Sequence, residues 1–198
     1  DSHQGIFAYE LLFRDSPDNK TALIRNGVRE TAQVLENVLN NFGLSRLVGN
    51  HKAFINCSRE MLLDNIFSPL DSDRFVLEIL ESVDADDTVV SVVKKYHERG
   101  YEFALDDVIF DAENLKRLEP FFPYVKYVKL DLIENSAEAL KAAVPYFKER
   151  GMVLLAEKVE TEEDFTARLE DGYDLFQGFF FAKPEIVRGK RMDGSLAT

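Results

Sequence analysis

Short runs of apolar residues recur along the chain and predict strands that are buried on both faces. The runs are rich in β-branched and aromatic residues, and each is shorter than an ordinary helix. They cover residues 6–13, 53–56, 75–80, 102–105, 127–130, 152–156 and 176–181. Strands of this kind belong to a sheet that is covered on both sides.

Several segments between these runs carry apolar residues at helical spacing. They predict helices over residues 23–40, 88–99, 137–150 and 161–169. The second and third helices end at Gly100 and Gly151, and a predicted strand follows each glycine. Thr161 and Asp164 give the fourth helix a capping-box pattern, whereas Pro145 weakens the prediction of an unbroken third helix. The alternation of helix and strand predicts a parallel sheet.

A parallel sheet with these connections is either a closed barrel or an open, doubly wound sheet. The glycine-rich nucleotide-binding fingerprints that favour the open sheet do not occur in the sequence. We therefore expect an α/β fold of the (β/α)8 TIM-barrel type, with residues 1–187 as the barrel domain and residues 188–198 as a tail or linker. Such a barrel usually takes about 250 residues. The chain has 198, which predicts a shortened or missing element.

Charge and composition narrow the classes of function. The chain has 36 acidic and 24 basic residues, and its formal net charge of -12 argues against a nucleic-acid polymer or an anionic membrane as partner. An acidic protein can still bind an anionic ligand where metal ions reverse the local field. The single cysteine, Cys57, permits no intrachain disulfide and suits a reducing, cytoplasmic setting. No apolar run is long enough to span a membrane.

Polar residues cluster at the carboxyl ends of the predicted strands, the rim that forms the active site of a (β/α)8 barrel. They are Asn56, Glu78, Asp106, Asp107, Lys129, Asp131, Glu157, Glu160 and Gln177. Carboxylate and amide oxygens suit Mg²⁺ or Mn²⁺ better than zinc. Several carboxylates together favour two divalent ions, which can activate water for attack on a phosphate.

Three of these positions carry more information than the rest. Lys129 and Asp131 are two residues apart, so on a strand both side chains point to one face. Glu78 lies inside an apolar strand, where a carboxylate needs a cation as partner.

Each polar residue also has a simpler interpretation. Asp106 or Asp107 alone could cap a helix, Glu157 and Glu160 could belong to a solvated turn, and Lys129 could pair with any neighbouring acid. Agreement among several strand ends favours a metal-dependent barrel enzyme, or the relic of one.

Seven motifs, in order along residues 6–185, resemble those of the EAL family of cyclic di-GMP phosphodiesterases. They are Tyr9-Glu10-Leu11-Leu12-Phe13-Arg14, Phe54-Ile55-Asn56-Cys57-Ser58, Leu77-Glu78-Ile79-Leu80-Glu81-Ser82, Asp106-Asp107, Lys129-Leu130-Asp131, Ala156-Glu157-Lys158-Val159-Glu160-Thr161, and Gln177-Gly178-Phe179 with Lys183-Pro184. The resemblance implies hydrolysis of one phosphodiester bond of cyclic di-GMP to give linear pGpG.

The resemblance also implies roles for single residues. Glu157 and Lys129 would position or activate the attacking water, and Glu81 would brace the loop after Asp107. Arg14 would contact a phosphate, and Gln177, Lys183 and Pro184 would complete the ligand site. The residues expected to hold Mg²⁺ or Mn²⁺ are Glu10, Asn56, Glu78, Asp106, Asp107, Asp131 and Glu160.

The sequence departs from the family pattern at three places. The loop from Asp107 to Asp111 lacks two glycines and a threonine, Lys158 replaces a glycine, and Leu11 replaces an alanine. These departures resemble the EAL branch that is often fused to HDOD domains, so we expect a C-terminal HDOD-type domain in the full-length protein. The resemblance also allows a homodimer.

Three functions fit these observations. The first is a metal-dependent phosphodiesterase, and the second is a weak or inactive EAL module that serves as a ligand-binding or interaction scaffold. The third is an unrelated metal-dependent barrel that acts on a small acid. The ordered motifs argue against the third, and the buried carboxylates favour the first.

Overall fold

The computed structural model describes residues 1–11 and 48–181. Its strands are β1 (Ala8–Leu11), β2 (Lys52–Cys57), β3 (Phe75–Ile79), β4 (Glu102–Leu105), β5 (Val125–Asp131), β6 (Val153–Glu157) and β7 (Leu175–Phe176). Its α-helices are α1 (Arg59–Leu63), α2 (Asp87–Glu98), α3 (Ala112–Leu118), α4 (Ala137–Lys148) and α5 (Glu162–Asp171). A 3-10 helix, Glu119–Tyr124, leads into β5.

The seven strands form one sheet in sequence order, and each neighbouring pair is parallel. Every residue of β3 is buried, as expected for a strand covered on both faces. This curled parallel sheet with helices confirms the predicted TIM-barrel class, here as a half-barrel. Among the described residues the ladder ends at β1 and β7, although Gln177 after β7 contacts Glu10 on β1.

The two faces of the sheet are lined by different apolar clusters. One face packs against the helices, including Val89 and Val93 of α2 and Phe147 of α4. The opposite face carries a separate cluster, in which each strand from β2 to β7 supplies one residue. Its members are Phe54, Val76, Ala104, Tyr127, Leu155 and Leu175.

This second cluster positions the predicted site through the two-residue period of a strand. The residue two positions after each member points to the same face, one step nearer the carboxyl end. Those residues are Asn56, Glu78, Asp106, Lys129, Glu157 and Gln177. The polar set therefore forms the layer directly above an apolar floor, inside the curled sheet.

Most predicted elements are confirmed, with differences at their ends. The helix α4 continues through Pro145, so the predicted third helix is confirmed as unbroken; its buried face includes Leu140, Ala143 and Phe147. The last strand is shorter than predicted, because it ends at Phe176. The sequence did not predict α1 and α3, which Ser58 and Asp111 cap through their side chains. The predicted helix at 23–40, the predicted contacts at Arg14, Lys183 and Pro184, and the tail at 188–198 lie outside the described residues.

Gly178 holds the turn after β7 against the loop that follows β6. A Cβ atom on Gly178 would overlap the backbone nitrogen, carbon and oxygen of Val159. We expect Gly178→Ala to lower the free energy of unfolding in urea by about 3 kcal/mol, because rigid backbone cannot yield. The matched control is Gly151→Ala, since Gly151 has a φ of +74° but open space around its Cβ position. This control should cost about 1 kcal/mol, from backbone strain alone. Equal losses would show that the contact with Val159 is unimportant.

Candidate active site

The ammonium group of Lys129 lies at the centre of the polar layer, and its side chain is only 1% exposed. Four carboxylates from four other strands surround it. Their distances from Nζ are 2.7 Å to Glu78 Oε1, 2.7 Å to Asp106 Oδ1, 2.9 Å to Glu157 Oε1 and 3.7 Å to Glu10 Oε2. The predicted site residues of β1, β3, β4, β5 and β6 therefore meet at one point.

One ammonium cannot balance four carboxylates, and the pKa values reflect this. Burial, with repulsion from Glu10 and Asp106, raises the pKa of Glu78 from 4.5 to about 8 in spite of Lys129. Burial likewise raises the pKa of Glu157 to about 7. Burial alone would lower the pKa of Lys129, but the surrounding carboxylates outweigh it and hold that pKa well above its ordinary value. The site has an excess of buried negative charge.

Several buried oxygen atoms of the site also lack a hydrogen-bond donor among the described residues. They are Asn56 Oδ1, Glu78 Oε2 and Glu157 Oε2, while the other oxygen of Glu78 is ion-paired with Lys129. A buried acceptor without a partner is costly, by about 1–3 kcal/mol. A hard divalent cation would relieve this cost, because Mg²⁺ and Mn²⁺ prefer carboxylate and amide oxygens. The donor set therefore fits the metal that the sequence predicts.

The carboxylates of Glu81, Asp106 and Asp107 form a second group beside the first. One oxygen of each lies within 4.8 Å of the others. Burial and the charge of Asp106 raise the pKa of Asp107. The position of Glu81 agrees with its predicted place next to the loop after Asp107, and it adds a possible ligand that the sequence did not assign to metal.

Asp131 differs from the other carboxylates because both of its oxygens have partners. Its side chain is 1% exposed. Oδ1 accepts hydrogen bonds from the backbone of Ile133 at 2.6 Å and Glu134 at 3.4 Å, and Oδ2 is ion-paired with Lys158. Asp131 is thus in the predicted place, but it is already saturated.

The loop after Asp107 is held without the glycines of the family pattern. Asp107 itself adopts a φ of +45°, and the backbone N–H of Val108 donates to Lys129 O at 2.9 Å. The amide of the buried Asn135 donates to the carbonyls of Val108 and Asp131 and accepts from the N–H of Phe110. Sequence reasoning missed Asn135, although an asparagine in the turn just after the Asp131 strand was a signal.

The remaining predicted residues lie at the edge of the site. Gln177 Nε2 donates to Glu10 Oε2 at 2.5 Å, which joins the last strand to the first. The side chain of Glu160 is exposed. The backbone N–H of Glu160 donates to Asp164, and its side chain makes no hydrogen bond to another described residue. The structure thus gives no contact between the Glu160 side chain and the Lys129 cluster.

A comparison with protein families identifies the family of this chain. Residues 20–184 match the EAL domain family. The chain belongs to this family. The family that the seven motifs indicated is therefore confirmed. No finding tests whether the chain belongs to the branch that is fused to HDOD domains.

Individual relatives agree with this assignment. The EAL chain is 30% identical over 185 residues to the uncharacterized protein YuxH of Bacillus subtilis, covering 93% of this chain and 45% of that protein. It is 33% identical over 185 residues to the cyclic di-GMP phosphodiesterase CdgJ of Vibrio cholerae, covering 91% and 41%. The chain therefore spans less than half the length of these curated relatives.

A solved structure shows the same fold at lower identity. The Bacillus subtilis YkuI protein, crystallised with its substrate cyclic di-GMP and calcium, superposes with a TM-score of 0.67 at 19% identity. The match covers 86% of this chain and 46% of YkuI.

No helix within residues 1–11 and 48–181 has the length and apolarity needed to cross a bilayer.

The raised pKa values predict how stability changes with pH in the presence of a chelator. A carboxyl group whose pKa is higher in the folded state binds more protons there, so stability is lost as pH rises. For Glu78 this window runs from about 4.5 to about 8. We therefore expect the melting temperature to fall across this range, and Glu78→Gln to flatten the fall.

The control for this measurement is Glu98→Gln, since Glu98 is exposed on α2. It should keep the parent's pH profile. A melting temperature of the parent that stays level or rises between these pH values would contradict the charge excess inferred for the buried cluster.

Proposed function

We propose that this EAL domain hydrolyses cyclic di-GMP to linear pGpG with the help of bound Mg²⁺ or Mn²⁺. The observation that carries the proposal is the excess of buried, unpartnered carboxylate oxygens around Lys129. Such a cluster is costly unless a cation joins it. The name of CdgJ and the substrate bound to YkuI support cyclic di-GMP as the ligand.

The residues that would hold the metal lie on β2 and β3 and directly after β4. Asn56 Oδ1 and Glu78 Oε2 have no donor among the described residues, and Asp106 with Asp107 offers a second pair. Glu10 and Asp131 complete the predicted set, while Glu160 stays a weaker candidate. When bound, the divalent ions would neutralise the phosphate and lower the pKa of a water molecule. They would also explain how so acidic a chain binds an anionic dinucleotide.

Two residues of the cluster suit the chemical step. Lys129 Nζ lies 2.9 Å from Glu157 Oε1, which fixes the Glu157 carboxylate, and Oε2 has no partner among the described residues. This free oxygen, on a group with a pKa of about 7, can accept a proton from water near neutral pH. The water then attacks one phosphorus atom as its proton passes to Glu157, the bond from phosphorus to the 3′ oxygen breaks, that oxygen takes up a proton to become a hydroxyl, and pGpG is released.

A second candidate function rests on the saturated state of Asp131. If the ion pair with Lys158 excludes a required ion, the domain binds cyclic di-GMP without turnover and acts as a signalling scaffold. A measurement of cyclic di-GMP hydrolysis distinguishes the phosphodiesterase from the scaffold. The expected HDOD-type domain, the homodimer and the cytoplasmic location remain predictions.

The test is to incubate the purified chain with cyclic di-GMP and Mn²⁺ or Mg²⁺ and to follow pGpG by chromatography. We expect product that disappears with a chelator. Glu157→Gln should lower kcat by about a hundredfold or more with the fold intact, because it removes the general base.

The matched control is Glu102→Gln. Glu102 is also a partly buried glutamate paired with lysines, Lys52 and Lys126, but it lies at the amino end of β4. Turnover should persist in this variant. An inactive parent that still binds cyclic di-GMP would favour the scaffold, and an active Glu157→Gln variant would remove Glu157 from the mechanism.

A further inference from the structure

Lys158 occupies a backbone position that does not suit a lysine. It lies between β6 and α5, directly after Glu157, and its φ is +57°. Residues other than glycine adopt this left-handed region at a cost of about 1–2 kcal/mol. The backbone here would be less strained with glycine, so backbone conformation does not explain a lysine at this position.

The side chain of Lys158 reaches Asp131, a predicted ligand whose two carboxylate oxygens both have partners. Its Nζ is ion-paired with Asp131 Oδ2, while backbone N–H groups bind Oδ1. Asn56, Glu78 and Glu157, in contrast, each keep at least one oxygen without a donor among the described residues. The positive charge of Lys158 therefore stands where a divalent ion bound to Asp131 would need to approach.

The two members of this ion pair differ in exposure. The Asp131 side chain is 1% exposed and fixed by its backbone contacts, whereas the Lys158 side chain is 46% exposed. A lysine ammonium on a flexible, half-exposed stem can leave its partner, but a buried carboxylate cannot follow it. Lys158 can therefore withdraw when a stronger cation arrives.

We propose that Lys158 is a built-in cation that competes with a divalent metal ion for Asp131. The inference rests on the proposed metal-dependent function and refines it. In the resting chain, the ligands around Asn56 and Glu78 take a divalent ion readily, and a second ion on the Asp131 side must first displace Lys158. The chain then gains its second metal only at a high metal concentration.

The test is a Mn²⁺ titration of the 198-residue chain, with free Mn²⁺ followed by electron paramagnetic resonance. Lys158→Met removes the ammonium and keeps the length of the stem. We expect the weaker class of Mn²⁺ sites to bind about ten to a hundred times more tightly in this variant, the size of effect that partners of metal ligands have. Lys158→Arg keeps the charge and should titrate like the parent.

The matched control is Lys148→Met. Lys148 is also a part-exposed lysine paired with an aspartate, Asp174, which lies before β7 at the opposite end of the sheet. This variant should leave the Mn²⁺ titration unchanged. Asp131→Asn in the Lys158→Met background should abolish the gain, because the freed ligand is then absent.

The outcomes separate this inference from the proposed function. If the parent binds Mn²⁺ and Lys158→Met binds it with unchanged number and affinity, the inference is wrong and the proposed metal site stands. If the parent binds no Mn²⁺ but Lys158→Met gains an ion, the competition by Lys158 holds, whereas the ready binding of a first ion at Asn56 and Glu78 and the parent's metal-dependent function are wrong.

A second variant tests the competition if Lys158→Met is not folded, as judged by the loss of a cooperative unfolding transition. Asp131→Asn in the parent background should keep the tighter Mn²⁺ affinity, because Asp131 is already paired with Lys158. A loss of about tenfold or more in the tighter class would overturn the competition, since it would place Asp131 among the first ion's ligands.

Discussion

The ion cluster around Lys129 is the constraint on which the rest of this structure depends. A buried ammonium within 4 Å of four carboxylates can exist only if the surrounding strands hold every partner in place. The same cluster leaves negative charge in excess, as the raised pKa values of Glu78 and Glu157 indicate. The excess charge lowers the stability of the folded chain, whereas the proposed chemistry needs these carboxylates. A divalent cation would offset the charge and use the carboxylates as ligands.

The geometry of the sheet places the carboxylates of this cluster in one layer. The apolar cluster that includes Phe54, Val76 and Tyr127 fills the inner face, and the next inward residue of each strand is polar. Because the strands are parallel and in sequence order, these polar residues form a single layer at the carboxyl end. Few water molecules can reach such a layer from below, so its carboxylates depend on one another and on bound cations.

Much of this arrangement could be predicted from the sequence. Strand runs and their terminal polar residues were enough to place Glu78, Lys129 and Glu157 together, because strand periodicity is a local property and the alternation of helix and strand predicts parallel order. Short helices such as α1 and α3 escaped prediction, since five and seven residues give little periodic signal.

Other features depend on loop conformation, which local pattern does not determine. The saturation of Asp131 requires the positive φ of Lys158 and the turn that brings in the N–H of Ile133. The bracing of the altered loop requires Asn135, which is 27 residues from its partner Val108. The sequence showed that Lys158 replaces a glycine of the family pattern, but not which carboxylate its ammonium would contact.

The most direct test of the central claim is a crystal of this chain grown with Mn²⁺ and cyclic di-GMP, measured at the manganese absorption edge. The account predicts an anomalous peak within coordination distance of Asn56 Oδ1 and Glu78, about 2.0–2.3 Å as for hard divalent cations with oxygen ligands. It also predicts a phosphate of the dinucleotide against that ion. Ordered cyclic di-GMP with no anomalous peak beside Glu78 would contradict the claim that a metal ion completes the Lys129 cluster.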